Sequence, residues 1–149
     1  MKFARTWSLA MLIIVTAAVY AAPPKKLVFK DLETQTIEYI GYEKSIKLTP
    51  GQEAIKKKAL GSIKAVCCKE YSAYTCCCPC NFSKSLWGMS NYLIARQDYG
   101  AEDVKKAAAA WIRYVNPNGF SGDACFTGGC NRPFARNGCG GMNDRDIRF

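Results

Sequence analysis

The chain has 149 residues with 21 lysines and arginines against 12 acidic residues, a formal charge of +9, nine cysteines and no histidine. A length of this order fits one domain with one hydrophobic core. The lack of histidine excludes Ser/His and Cys/His catalytic pairs, zinc sites with histidine ligands and haem attachment through C-x-x-C-H. Any metal site would need thiolate, carboxylate or thioether ligands.

The N-terminus has the pattern of a secretory signal peptide. Lys2 and Arg5 precede an apolar run over residues 9–18, and Val19 and Ala21 are small residues at the usual cleavage positions. The apolar run is shorter than the roughly 18–20 residues that cross a bilayer. We predict a signal peptide over residues 1–21, a single cysteine-rich domain over residues 22–149, and export to the periplasm or the extracellular space, where disulfides persist.

The first part of the predicted domain, residues 25–45, indicates β-structure. Short apolar or β-branched groups at residues 27–29 and 36–40 are broken by charged residues and Gly41. This pattern predicts one or two short strands. A helix should follow, because Thr49 is placed to cap it, Pro50 suits its first position and Gln52 completes a capping box.

Two more helices are predicted by their apolar spacing. The first begins near Asn81, a residue that suits the N-cap position. Residues at spacings of four, three and four share one face of this helix: Phe82, Leu86, Met89 and Leu93. The second begins with acidic residues, carries an apolar stripe, and stops at the sequence Asn-Pro-Asn-Gly over residues 116–119. The stripe consists of Val104, Ala108, Trp111, Ile112 and Val115.

The last thirty or so residues, by contrast, are rich in glycine and show no helical or strand period. Ordered glycine-rich chain is entropically costly, so Cys125, Cys130 and Cys139 are candidates for structural disulfides that fasten it. The predicted fold class is therefore mainly α, a small α+β protein with a β-containing start, about three helices and a cysteine-fastened, glycine-rich C-terminal loop.

The remaining six cysteines form a dense cluster, and the sequence Cys77-Cys78-Pro79-Cys80 stands just before a predicted helix. Unpaired N–H groups at a helix start stabilise a thiolate, which lowers the thiol pKa and favours thiol–disulfide exchange. In this interpretation Cys77 attacks and Cys80 resolves. The other four, Cys67, Cys68, Cys76 and Cys78, are candidates to pass the disulfide on or to serve as ligands.

Two other interpretations stay open. In the first, the protein binds or delivers a soft metal ion. A four-thiolate Zn site would consist of Cys77, Cys80, Cys125 and Cys130, or fewer of these cysteines would bind Cu(I). Alternatively, the cysteines only staple an interaction domain that has no chemistry of its own. No cofactor is required by the redox interpretation, and the odd number of cysteines leaves the oligomeric state open.

Residues 77–117 contain a C-x-x-C before one predicted helix, a glycine within that helix, an acidic start to the next helix and a closing proline. In this order of features the segment resembles the periplasmic thioreductases of cytochrome c maturation. The resemblance implies a small helical hairpin and assigns the redox pair to Cys77 and Cys80. The chain is also similar to exported proteins of unassigned function with compact Cys-Pro-Cys motifs.

The expected partners follow from the export signal and the charge. They are the thiols or disulfides of exported proteins, with an anionic membrane surface as a further candidate for the lysine-rich segment. That segment, residues 54–64, has no aromatic residues interleaved with its lysines, so we predict no nucleic-acid binding.

Overall fold

The structure is a computed structural model that describes residues 27–66, 70–76, 80–115 and Pro117. Four helices occupy most of this part: α1 (Leu32–Ser45), α2 (Pro50–Gly61), α3 (Asn81–Gln97) and α4 (Ala101–Val115). The described residues contain no β-strand, only an isolated antiparallel bridge between Lys64 and Ser72. The prediction of a mainly helical protein is confirmed. The predicted signal peptide and the predicted C-terminal loop lie outside the described residues.

Helix α1 occupies residues 36–40, where a strand was predicted, and residues 27–29 are not in a strand either, so the prediction of β-structure here is wrong. Asp31 caps the helix, its carboxylate accepting a hydrogen bond from the Thr34 amide at 2.7 Å. Thr36, Tyr39 and Ile40 are its buried residues, and their spacing of three and four places them on one helical face. Burial of this face outweighs the modest helix propensity of the β-branched residues.

Helix α2 begins as its sequence predicts. The Thr49 hydroxyl accepts from the Gln52 amide, and the Gln52 side chain accepts from the Thr49 amide at 3.0 Å. These reciprocal bonds form the predicted capping box, with Pro50 at the first helical position. Ala59 and Leu60, near the end of the helix, are buried in the core.

Helices α3 and α4 supply most of the core. All four residues predicted to share the α3 face are buried, and so are four of the five in the α4 stripe, with Ile112 half-buried. Trp111 is fully buried and donates its indole N–H to the Ser85 hydroxyl at 3.1 Å. Asp98 ends α3 with a left-handed backbone (φ 54°), and α4 follows after Gly100.

Helices α1 and α3 pack closely at Gly88. A Cβ at this position would lie 1.7 Å from the Tyr39 carbonyl oxygen and 2.7 Å from the Glu43 amide nitrogen. Only a glycine permits this approach of one backbone to another. Further along, the Asn91 side-chain amide donates to the carbonyl of Ile46, just after α1, at 3.2 Å. The close pairing fixes α3, and with it the cysteine that precedes it.

The described part of the chain contains no helix that is long and apolar enough to cross a membrane.

Candidate functional site

Cys80 is the residue that caps α3 at its N-terminus. Its backbone is extended (φ −74°, ψ 169°), and its carbonyl accepts from the Lys84 amide at 2.9 Å and from the Ser83 hydroxyl at 3.0 Å. The sequence predicted that Asn81 would be the cap. The structure instead makes Asn81 the first helical residue, with only 1% of its surface exposed. The cysteine therefore stands directly at the positive end of the helix.

The sulfur of Cys80 lies among hydrogen-bond donors in a partly buried position. Its Sγ is 3.7 Å from the hydroxyl oxygen of Ser83, which is itself 1% exposed. Burial raises the pKa of the Cys80 thiol, the Ser83 amide and hydroxyl and the Phe82 amide act to lower it, and the nearby Cys76 adds a smaller upward effect. The net change is a raised pKa.

This result corrects the sequence-based expectation for one member of the pair. A helix start was expected to lower the thiol pKa, and at Cys80 the first-turn donors do act in that direction. Removal of water from the thiolate has the larger, opposite effect. Cys80 is thus held as a thiol at neutral pH, which is unsuitable for the attacking cysteine and suitable for the second one.

A short hairpin leads the chain from α2 to the cysteine-rich segment. Ala65 donates its amide to the Tyr71 carbonyl at 2.9 Å, and Ala73 donates to the Ile63 carbonyl at 2.8 Å. The connection between the arms, residues 67–69, contains Cys67 and Cys68 and lies outside the described residues.

Two side chains attach this hairpin to the helices. The Tyr74 hydroxyl donates to a carboxylate oxygen of Glu53 on α2 at 2.9 Å. The Trp87 indole on α3 donates to the Ala73 carbonyl at 2.8 Å. The segment that enters the cysteine cluster is therefore anchored to α2 and α3 just before Cys76.

A small pocket lies between the hairpin, α3 and α4. Its volume is about 10 Å³, room for about one water molecule. Cys76 and Ser83 both line it, and Ser83 also contacts the Cys80 sulfur. The other lining residues are mostly apolar: Lys64, Ala65, Val66, Ala73, Phe82, Leu86 and Ile112. Ser83 thus lies between the pocket that Cys76 lines and the sulfur of Cys80.

The described residues include only two of the predicted site cysteines, Cys76 and Cys80, and both are partly buried. Cys77 and Cys78 fall between them and are not among the described residues. The same is true of the three cysteines of the predicted C-terminal loop, Cys125, Cys130 and Cys139. Within residues 27–66, 70–76 and 80–115 there is no group of three or more side chains able to hold a metal ion. The four-thiolate site stays a prediction, because three of its four cysteines are not described.

Ser83 is the site residue that the sequence analysis missed. A signal for it exists: it stands three residues after the helix cap, the position from which a polar side chain reaches back to the cap in a capping box. The same spacing brings the Ser83 hydroxyl to both the carbonyl and the sulfur of Cys80.

No family model matches this chain, and neither a similar curated protein nor a similar solved structure was found. The likeness to the thioreductases therefore stays a prediction.

Proposed function

We propose that this chain is an exported thiol–disulfide redox protein in which Cys77 attacks and Cys80 resolves. The observation that supports it most directly is the environment of Cys80, a partly buried cysteine at the start of α3 with three hydrogen-bond donors near its sulfur. Its partners would be the thiols or disulfides of other exported proteins.

The reaction is a two-electron exchange that needs no other cofactor. The Cys77 thiolate attacks one sulfur of a partner disulfide, and the partner's second sulfur leaves as a thiolate. The Cys80 thiol then loses its proton and attacks the Cys77 sulfur, which forms the Cys77–Cys80 disulfide and releases the partner's other thiolate. The partner is reduced by two electrons and the cysteine pair is oxidised by two. The reverse sequence oxidises a dithiol.

The raised pKa of Cys80 supports this order of events. A thiol that stays protonated near neutral pH does not compete with Cys77 for the first attack. The nearby amides of Phe82 and Ser83 would stabilise negative charge on the Cys80 sulfur when Cys80 acts as the leaving group. The burial of Cys80 and the hydrogen-bond donors near its sulfur are therefore suited to a resolving cysteine, which does not react until the mixed disulfide has formed.

The experiment is to trap the mixed disulfide with glutathione disulfide as the probe. We expect Cys80→Ser to accumulate glutathione on Cys77, and we expect the wild type to pass through this state to the Cys77–Cys80 disulfide. Cys77→Ser should lose both the adduct and the reduction potential of the pair, measured in glutathione redox buffers. Cys139→Ser, in the C-terminal loop, serves as the matched control and should behave like the wild type.

Three outcomes would contradict the proposal. The first is a Cys77→Ser variant with an unchanged reduction potential and unchanged mixed-disulfide formation. The second is a metal adduct in the native mass spectrum with several thiols protected until unfolding, which would support a Cu(I) or Zn carrier. The third is one fully bridged species that redox buffers never change, which would support a stapled interaction domain.

A further inference from the structure

Two tyrosines from different helices form the most closely stacked ring pair among the described residues. The ring centroids of Tyr42 on α1 and Tyr92 on α3 are 4.6 Å apart, and their planes differ by 10°. Both residues are half-buried, so each keeps part of its surface exposed. We propose that Tyr42 and Tyr92 are a site of oxidative cross-linking, at which a one-electron oxidant joins α1 to α3 through a dityrosine bond.

The geometry distinguishes this pair from the tyrosine beside it. Tyr39 also neighbours Tyr42, but the centroids are 6.3 Å apart, the planes differ by 34°, and Tyr39 is only 5% exposed. Coupling of two phenoxyl radicals requires contact between ring carbons that are ortho to the oxygens. Near-parallel rings with centroids 4.6 Å apart need only a small shift to bring such carbons into contact, whereas a ring that is tilted, buried and 6.3 Å away needs a larger one.

The phenol oxygens are hydrogen-bonded in a way that suits oxidation. Tyr42 donates its hydroxyl proton in a short hydrogen bond to a carboxylate oxygen of Glu38, one helical turn earlier. Tyr92 accepts a hydrogen bond from the side-chain amide of Gln97 at 3.1 Å. When an electron leaves Tyr42, its proton can pass to Glu38 in the same step, so the carboxylate assists formation of the neutral radical.

The chemistry balances with a haem peroxidase and hydrogen peroxide as the oxidant. Each phenol loses one electron and its hydroxyl proton, and the two radicals form one carbon–carbon bond. The two ring hydrogens at the new bond then move to the oxygens, which restores both phenols. The product is two hydrogens lighter, and one hydrogen peroxide is reduced to two water molecules. A covalent link between α1 and α3 would restrict the unfolded chain and raise the unfolding temperature.

The test treats the full chain with horseradish peroxidase and hydrogen peroxide. After reduction and alkylation of the cysteines, we expect dityrosine fluorescence and a cross-linked peptide pair that contains Tyr42 and Tyr92, two hydrogens lighter than the sum. Tyr42→Phe and Tyr92→Phe should each abolish this product. Tyr71→Phe, which changes an exposed tyrosine that is not in the pair, should leave it unchanged. Circular dichroism checks that the variants keep their helices.

A further variant tests the assignment of the proton acceptor. Glu38→Gln keeps the stacked rings and removes the carboxylate, so the cross-link should form more slowly. The proposal is overturned if cross-links join other tyrosines as often as this pair, if they appear only between two copies of the chain, or if either phenylalanine variant keeps the product.

Discussion

The contact between α1 and α3 at Gly88 predicts that Gly88→Ala destabilises the protein. The added Cβ would lie 1.7 Å from the Tyr39 carbonyl oxygen, whereas carbon and oxygen atoms in such contacts ordinarily lie about 3.3 Å apart. The two helices would have to separate by roughly 1.6 Å, and every side chain packed between them would lose contact. The obstacle is backbone on both sides, so no rotamer change can relieve it.

The expected magnitude follows from two opposing effects. Overpacking of a core costs about 1–3 kcal/mol, and a backbone contact belongs at the upper end of that range. In the opposite direction, alanine in place of glycine stabilises a helix by about 1 kcal/mol. We therefore expect the free energy of unfolding to fall by about 2 kcal/mol, which lowers the unfolding temperature by about 4–8 °C in a chain of this size.

Gly41→Ala is the matched control, because it makes the same chemical change inside α1 at a site where the new Cβ meets no heavy atom within 4 Å apart from its own helix backbone. It should stabilise the protein by up to about 1 kcal/mol. Urea unfolding followed by circular dichroism at one redox state measures both variants. If Gly88→Ala were as stable as Gly41→Ala, the close packing of α1 on α3 would be refuted.

Three further substitutions test single features of the described part. Ser83→Ala should raise the pKa of Cys80 further, because the Ser83 hydroxyl acts to lower it, whereas Ser83→Thr keeps a hydroxyl and should preserve the pKa. The measurement is the pH dependence of Cys80 alkylation in the reduced protein, followed by peptide mass spectrometry. If the hydroxyl had no role, Ser83→Ala and the wild type would show the same pH dependence. Burial raises the pKa of Tyr39 to about 12 from its ordinary value near 10, so its contribution to stability is fully present below pH 10 and is lost as the pH rises towards 12. Between pH 8 and pH 11, the free energy of unfolding measured in urea should therefore fall less for Tyr39→Phe than for the wild type. Equal decreases in the two proteins would contradict this prediction. Thr36→Val should stabilise the protein by about 1 kcal/mol, since the Thr36 hydroxyl is buried with no hydrogen-bond partner in the described part of the chain. Thermal unfolding measures the change. A loss of stability would indicate that the hydroxyl is hydrogen-bonded.

The sequence predicted three of the four helices because their signals are local. Thr49 and Gln52 lie within one turn of each other, so the capping box can be read without the rest of the fold. The apolar faces of α3 and α4 repeat at the helical period over about three turns, and the structure buries nearly all of these residues. Each signal survives in the folded protein because no tertiary contact opposes it.

Helix α1 was missed because the local sequence of the segment favours a helix only weakly. The contacts that stabilise the helix come from residues far along the chain. In the structure Asp31 caps the helix by accepting from the Thr34 amide, but Thr36, Ile37 and Ile40 favour strands by local propensity. What decides the segment is the surface of α3, where Gly88 admits the backbone of Tyr39. That requirement belongs to a residue about fifty positions away, and no local pattern contains it.

The same distinction between local and long-range causes explains the pKa of Cys80. The helix start is a local feature, and its amides lower the pKa as the sequence suggested. Desolvation depends on how the hairpin, α3 and α4 pack around the first turn, and it has the larger effect. A C-x-x-C before a helix therefore does not by itself give both cysteines a low pKa. In this chain, burial raises the pKa of Cys80, and under the proposed function that burial, rather than the motif, is what makes Cys80 the second cysteine of the pair.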